Sequence, residues 1–525
     1  MGRFYVTTPI YYVNDIPHIG HAYTTILADV LARYHRKAGD EVWFLTGTDE
    51  HGQKAEQAAK KRGLAPAVHC DEMVENFRSL WMRLGISNDD FIRTTEARHM
   101  SAVQHALSDL HAKGEIYAAP YVGWYCVPCE RFCTEKDLVD GSCPDCRRAV
   151  QRLEEKNWFF RMGKYRDWLR EHIETHPGFI APETRKNEVL GFLQKPLEDL
   201  CISRPKSRLS WGIPLPFDPD YVTYVWFDAL MNYATAIGYP GDPAGFDRRW
   251  PAMHLIGKDI LTTHSVYWPT MLRALGLPAP KTIAAHGWWL TPSPKCPACG
   301  EKLQDAPASQ CPACGGLLKI SKTGGTAVKP LDLLERHGVD AFRYFLMREM
   351  SFGQDAGFSV DVFERRYEAD LANAFGNLLS RVIPMIENYR SGVVPSPAEP
   401  GPGDDDLRAL MGGLEAKVVS AIEAFSPNLA LEAVFGLVDR ANRYVQETTP
   451  WLLAKDPSKA GRLDTVLSLL AESLRHALAW IEPVIPAAAA EGWRQLGLEG
   501  SPSCASPPAV GRRVRKGAPL FPKTK

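Results

Sequence analysis

Two imidazoles three residues apart, in Pro17-His18-Ile19-Gly20-His21, stand where a strand-like apolar run hands over to a helical one. A helix start presents unpaired backbone N–H groups and the positive end of its dipole, and so favours an anion such as a phosphate. Imidazole N–H groups placed there can donate to phosphate oxygens, and Gly20 lets a nucleotide come close to the backbone. Taken alone, such a pair serves equally well as a cap or as packing. Far downstream, Lys319-Ile320-Ser321-Lys322-Thr323 and Gly324-Gly325 put two ammonium groups on a glycine-bearing loop, which by itself is ordinary solvated surface. The two features together supply donors and charge for a polyphosphate, in a chain with neither a G-x-x-x-x-G-K loop nor a G-x-G-x-x-G turn.

Thiols form the second chemical signal. Eight of the 12 cysteines fall into C-x-x-C pairs, which in a reducing compartment indicates metal ligation rather than disulfides. Cys126, Cys129, Cys143 and Cys146 make a four-thiolate set suited to one structural Zn²⁺, with Cys133 as an alternate ligand. Cys296, Cys299, Cys311 and Cys314 make a second box immediately before the lysine loop. That stretch, residues 292–316, has few large apolar residues and cannot bury a core unaided. Either a second Zn²⁺ folds it, or it is a knuckle pair whose metal has been lost. Cys70, Cys201 and Cys504 are ordinary thiols.

The elements that must position these groups follow from the apolar pattern. Phe4 to Thr8 and Val42 to Leu45 alternate with a helical run from His21 to His35, which together make a βαβ unit of a parallel, doubly wound sheet. Val222 to Phe227, His254 to Gly257 and Thr282 to His286 are strand-like runs that continue it after a cysteine-rich interruption. After Pro330 the pattern turns helical, near residues 331–350, 360–390, 404–424, 427–447 and 461–482, with Pro395 to Asp406 a surface connection. The expected class is therefore α/β: a Rossmann-like catalytic domain split over residues 1–116 and 220–325, interrupted by a zinc-knuckle insertion, residues 117–219. Behind it come a connecting region, 326–370, an α-helical domain, 371–500, and a tail, 501–525.

Composition excludes several classes. A net charge of −1 rules out nucleic-acid binding through bulk positive charge and leaves only a local RNA site. The start MGRFYVTTPIYY is not a secretory signal, and the apolar stretch His476 to Ala490, cut by Glu482 and two prolines, is too short to span a bilayer. A cytoplasmic enzyme without a membrane segment is expected.

The histidine and lysine motifs resemble the paired HIGH and KMSKS signatures of class I aminoacyl-tRNA synthetases, with Ile320 for Met and Thr323 for Ser in the second. The segments Thr7-Thr8-Pro9-Ile10-Tyr11-Tyr12-Val13-Asn14, Gly47-Thr48-Asp49-Glu50-His51-Gly52 and Tyr224 to Tyr233 resemble the methionyl-tRNA synthetase family over nearly the whole chain. Leu230 stands where that family often has proline. The resemblance implies adenylation of L-methionine by ATP with Mg²⁺, then transfer to the 3′ end of tRNA(Met). It assigns His18, Gly20, His21, Lys258, Asp259, Lys319, Ser321 and Lys322 to ATP, with His18, His21, Lys319 and Lys322 acting on the phosphates. Asp49 would take the ammonium, while Pro9, Ile10, Tyr12, Trp226, Ala229, Tyr233, Ile260 and His264 would enclose the methionine. By the same resemblance the region 326–370 would contact the tRNA stem, and Asn377, Arg381 and Trp451, in the helical domain 371–500, would read a CAU anticodon. Without the resemblance, a helix salt bridge and a core tryptophan are the preferred reading of those three.

Two other readings stand beside it: a related ligase for another amino acid or acceptor, and a catalytically silent zinc-containing tRNA-binding paralogue. The intact histidine and lysine sets argue against silence, and the lack of a large editing insertion argues against the isoleucine, valine and leucine enzymes. The chain after Leu498 leaves no room for an appended dimerising module, so a monomer is expected.

Overall fold

A computed structural model of the chain describes residues 2–126, 131–133, 135, 138–144, 147–290 and 330–523. By its internal contacts the chain divides into two compact units, Met1–Pro17 with Ala38–His286 and His18–Lys37 with Gly287–Lys525.

The first unit is built on a seven-stranded sheet. Its order is Tyr11–Tyr12, Glu41–Asp49, Arg3–Thr7, Ala252–Gly257, Thr282–His286 and Ile180–Ala181, with Asp90–Arg93 also pairing with Glu41–Asp49. Every pairing is parallel. Parallel strands are covered on both faces, which explains why Thr282–His286 is buried at every position and why the sequence reads as unbroken apolar runs. The strand order reverses at Arg3–Thr7, since the next strands of the chain lie to one side of it and Ala252–Gly257 to the other. Sheets of this kind bind ligands beyond the carboxyl ends of the strands at such a reversal. Tyr5, Leu45, Ile92, Ile256 and Ile283 from the strands pack with Val103, Leu107 and Leu110 of the helix Ala97–Ala112 in one core.

A second, antiparallel sheet interrupts the first, ordered Arg131–Cys133, Ile116–Cys126, Gln151–Phe160 and Leu200–Cys201. The strand-like reading of Val222 to Phe227 fails here. The strand is Asp218–Thr223, antiparallel to Ser203–Pro205 and Pro214–Leu215, and Val225–Leu230 is a helix. A short run of β-branched and aromatic residues marks burial, and buried helix and buried strand look alike at that length.

The second unit is helical. Pro330–His337 and Val339–Glu349 are followed by Val360–Arg366, a π-helical stretch Tyr367–Gly376 and the helix Asn377–Arg390, so the expected boundary at residue 370 falls inside a continuous helical run. Asp404–Glu423, Pro427–Thr448, Ala460–Ile481 and Pro486–Gln495 complete it. Asp404, Asp405 and Asp406 form the first turn of their helix rather than the end of a loop, because carboxylates at a helix N-terminus oppose its positive dipole end. The tail is tied down: Arg513 pairs with Val393, and the Tyr367 hydroxyl donates to the Pro522 carbonyl at 2.7 Å.

The helix Ile19–Lys37 belongs to this unit through a buried ion pair. Arg343, with no exposed side-chain surface, donates from Nη2 to Asp29 Oδ2 at 2.7 Å and to the Pro483 carbonyl at 2.9 Å. Its Nε donates to the Val484 carbonyl at 2.8 Å. Arg33 donates to the same Asp29 oxygen.

Candidate functional site

In the first unit, the residues assigned to methionine come together at the carboxyl ends of the central strands. Asp49 ends the strand Glu41–Asp49 and is 2% exposed. That strand packs so tightly on its neighbour that a Cβ at Gly47 would lie 2.0 Å from the Ile92 carbonyl oxygen. The next residue, Glu50, is fully buried and takes a hydroxyl and a guanidinium nitrogen on each oxygen: Thr48 and Arg93 on Oε1, Thr95 and Arg93 on Oε2. Asp49 is thus presented from a backbone fixed on both sides.

Four rings form a linked box. Tyr12 meets Trp226 edge-on at 6.4 Å between centroids, Trp226 meets His264 at 6.2 Å, and Tyr233 lies 5.7 Å from His264. Pro9, Ile10, Tyr12, Trp226 and Ile260 are half-buried, whereas Ala229, Tyr233 and His264 are buried. Hydrogen bonds fix the protons. His264 Nδ1 is 3.0 Å from the Ile260 carbonyl oxygen, which can only accept, so the ring proton is on Nδ1 and Nε2 accepts from the Tyr233 hydroxyl at 2.8 Å. Burial drives the His264 pKa down to about 4, against smaller upward contributions from the Ile260 carbonyl and Asp259. Burial, with a smaller contribution from the charge of Asp49, keeps the Tyr233 phenol protonated. The box is therefore neutral at physiological pH.

Behind it sits a histidine that sequence reading placed only at the start of a strand. His254 is fully buried; the Trp268 indole donates to its Nε2 at 3.0 Å, so its Nδ1–H donates to the Thr7 hydroxyl at 2.8 Å. Burial, with a smaller contribution from the neighbouring His264, holds its pKa well below the usual imidazole range. Sequence reading also gave no role to a buried carboxylate, Asp228, which His51 and His99 contact at 2.7 Å each. Lys258 and Asp259 open the 3₁₀ turn Lys258–Ile260 just past the strand Ala252–Gly257. A Cβ at Gly257 would approach Asp259 Oδ1 to 2.6 Å.

In the second unit, His18, Gly20 and His21 occupy the start of the helix Ile19–Lys37 as the sequence predicts. The two imidazoles stack at 3.7 Å with 23° between their planes. The Gly20 N–H donates to His18 Nδ1 at 3.1 Å and the His18 N–H to His21 Nδ1 at 3.2 Å. Both rings therefore carry their proton on Nε2, the donor a phosphate oxygen requires. Lys319, Ser321 and Lys322 lie outside the described residues.

The three residues assigned to RNA are also in this unit. Asn377 and Arg381 lie one turn apart on the helix Asn377–Arg390, both half-buried. With the Gln446 amide turned so that its oxygen faces the guanidinium, Arg381 donates to it at 3.1 and 3.3 Å. Gln446 is near the end of Pro427–Thr448, where Thr449 at φ 44° turns the chain and leaves Trp451 36% exposed on the short helix Pro450–Leu453. A core tryptophan is excluded.

Of the first cysteine box, Cys126 and Cys143 are fully buried and pack with Cys133, Trp124 and Val150. Around Cys143 the chain turns tightly: its N–H donates to the Arg148 carbonyl and its carbonyl accepts from Arg147, which has φ 58°. Buried thiols on such a turn fit a structural metal in chemistry. Cys129, Cys146, Cys296, Cys299, Cys311 and Cys314 lie outside the described residues, and among the described residues no group of three ligating side chains is arranged to hold a metal. No described helix is long and apolar enough to cross a membrane.

The family model described as "tRNA synthetases class I (M)" matches residues 4–155, 149–299 and 316–383. The chain is 46% identical to a methionine–tRNA ligase of Caldanaerobacter subterraneus over 99% of its own length and 78% of that protein's. It is 42% identical to the methionine–tRNA ligase of Streptomyces coelicolor over 99% of its length and 96% of that one's. Among solved structures, Mycobacterium tuberculosis methionyl-tRNA synthetase bound by methionyl-adenylate matches with a TM-score of 0.90 at 39% identity, covering 99% of this chain and 100% of that one. On these matches the chain belongs to the class I tRNA synthetases and, within them, to the methionyl-tRNA synthetase family.

Proposed function

We propose that this chain activates L-methionine with ATP and transfers it to the 3′-terminal ribose of tRNA(Met). The observation that carries the reading is the neutral aromatic box of Tyr12, Trp226, Tyr233 and His264 beside the carboxylate of Asp49. A thioether is polarizable and nearly uncharged, and each sulfur–aromatic contact contributes roughly 0.3–1.5 kcal/mol. A neutral His264 suits such a side chain, since a charged ring would hold water in the box. Pro9, Ile10, Ala229 and Ile260 add apolar wall, and Asp49 takes the ammonium in a charge-assisted bond.

In the first step a carboxylate oxygen of methionine attacks the α-phosphorus; the new O–P bond forms as the α–β anhydride breaks and pyrophosphate leaves. Negative charge grows on the phosphates, so donors placed in advance stabilise the transition state more than the ground state. His18 and His21 donate from Nε2, Gly20 allows the close approach, and Lys258 and Asp259 serve the nucleotide. Lys319, Ser321 and Lys322 serve the β and γ phosphates, whose charge is shared with the Mg²⁺ that ATP carries. In the second step the terminal ribose 2′-hydroxyl attacks the acyl carbon; the ester bond forms as the acyl–phosphate bond breaks, the hydroxyl proton passes to a phosphate oxygen of the departing AMP, and AMP leaves. Asn377, Arg381 and Trp451 contact the anticodon by hydrogen bonds and stacking.

Cys126, Cys129, Cys143 and Cys146 hold one structural Zn²⁺. Cys296, Cys299, Cys311 and Cys314 hold a second, which folds the segment 292–316 and restrains the lysine loop. The chain works as a cytoplasmic monomer. Amino-acid-dependent ATP–pyrophosphate exchange across all twenty amino acids tests the central claim: exchange with methionine alone is expected, and exchange driven by another amino acid with methionine inert overturns it.

A further inference from the structure

Asp228 sits on the helix Val225–Leu230, two residues from Trp226 and next to Ala229, with no exposed surface. Its neighbours in the core are apolar, Val225, Phe227 and Leu230 among them. Each of its oxygens has its own imidazole: Oδ2 takes His51 Nδ1 and Oδ1 takes His99 Nε2, both at 2.7 Å. Burial alone would raise the carboxyl pKa, and the two histidines more than offset this, so Asp228 stays charged. His51 is two residues past Asp49 and packs on Trp211, whose indole donates to the Glu50 carbonyl at 2.6 Å. His99, fully buried, comes from the helix Ala97–Ala112.

This charge joins two pieces of chain 177 residues apart. One presents Asp49 and the other presents the Trp226 and Ala229 walls. A carboxylate held on both oxygens in a buried interior has no cheap displacement, because moving it strands a charged atom without a donor. A shift of the helix by a single ångström would break a 2.7 Å bond on one side or crush it on the other.

We infer that His51, Asp228 and His99 form a clamp that sets the distance between the ammonium site and the side-chain box, and so selects an amino acid of methionine's length. The inference rests on the proposed methionine site and goes beyond it: these are positioning residues, and His99 acts only through Asp228. A pocket distinguishes one methylene by roughly 10- to 200-fold, and an ångström of misplacement removes much of that.

The test is the ratio of kcat/KM for methionine to that for homocysteine and for ethionine, one methylene shorter and longer at the thioether end, in ATP–pyrophosphate exchange. His99→Ala removes one donor and should reduce both ratios about tenfold with the KM for ATP unchanged. His99→Gln, whose amide nitrogen reaches toward the same oxygen, should restore most of the discrimination. A role confined to stability would lower the melting temperature of His99→Ala and leave the ratios where they were, and that result overturns the inference. If His99→Ala does not fold, the isosteric Asp228→Asn decides by the same ratios. If the wild-type protein shows no exchange with methionine, the proposed function fails; normal exchange with unaltered ratios in the variants sinks the clamp alone.

Discussion

Lowering the pH from about 7.5 to 5 should cost the folded chain about 2 kcal/mol through His264 alone. The folded ring has a pKa of about 4 and the unfolded ring one near the ordinary 6.5. Between those values the unfolded state binds more protons, so stability rises with pH: the contribution is complete above the unfolded pKa and is lost as the pH falls toward the folded one. At pH 5 the unfolded imidazole is almost fully protonated and the folded one only about a tenth, a thirtyfold bias, or about 2 kcal/mol. Hydrogen–deuterium exchange at the histidine C2 position, read by mass spectrometry across pH 4 to 8, reports the ring directly. His264 should show no midpoint above pH 5, and His264→Gln should flatten the stability profile by roughly one proton in that window. A midpoint near 6.5 would refute the assignment of Nδ1–H to Ile260 and Nε2 to Tyr233, since a ring free to take a second proton is not held between a carbonyl and a phenol.

Arg343→Met strips a buried carboxylate of its main partner, and breaking such a pair costs about 3–5 kcal/mol, measurable by chemical unfolding. A loss below about 1 kcal/mol would mean that Arg33 alone satisfies Asp29. His21→Asn and Lys322→Ala should each slow ATP–pyrophosphate exchange by about a hundredfold with methionine affinity little changed, and wild-type turnover removes that residue from the mechanism. Trp451→Ala should reduce tRNA charging while exchange stays intact; undiminished charging rules out its contact with the anticodon. Metal analysis should find two zinc ions per chain, falling to one when Cys311 and Cys314 become Ser, and one in the wild type ends the claim for the second box.

Where apolar periodicity is set by one dominant partner surface, the sequence predicts the element. The helix Ile19–Lys37 and the strand Glu41–Asp49 follow from it, as do Asp404–Glu423, Pro427–Thr448 and Ala460–Ile481. Val222 to Phe227 reads as a strand where Val225–Leu230 is a helix, because a six-residue element buried at five of its six positions leaves no period to detect. The candidate site divides along the same line. Asp49, Trp226, Tyr233 and His264 were named through the family resemblance, and the geometry adds which atoms carry protons. In the sequence His254 reads only as part of a strand and Asp228 only as part of a motif, because what matters about them is contact with Thr7, His51 and His99, and residues so distant along the chain leave no spacing to read.

Among the described residues two stretches are π-helical, and each lies beside a residue of the candidate site. Thr263–Tyr267 carries His264, and Tyr367–Gly376 ends against Asn377. Widening a turn by one residue rotates the side chains beyond it by about 100° without breaking the helix, at the expense of the regular hydrogen-bond ladder. In both segments side chains take up the disturbed carbonyls. Thr263 and His264 both donate to Ile260, Ser265 to Leu261 and Thr270 to Val266. In the second, the Asn442 amide donates to Ala374, whose carbonyl also takes the Asn377 N–H. His264 takes its fixed tautomer from the Ile260 carbonyl, which lies just before the widened turn, and Asn377 is joined through Ala374 to the helix that leads to Trp451. A period of 3.6 cannot announce such a turn, since the inserted residue changes which way a side chain faces and leaves its chemistry unaltered.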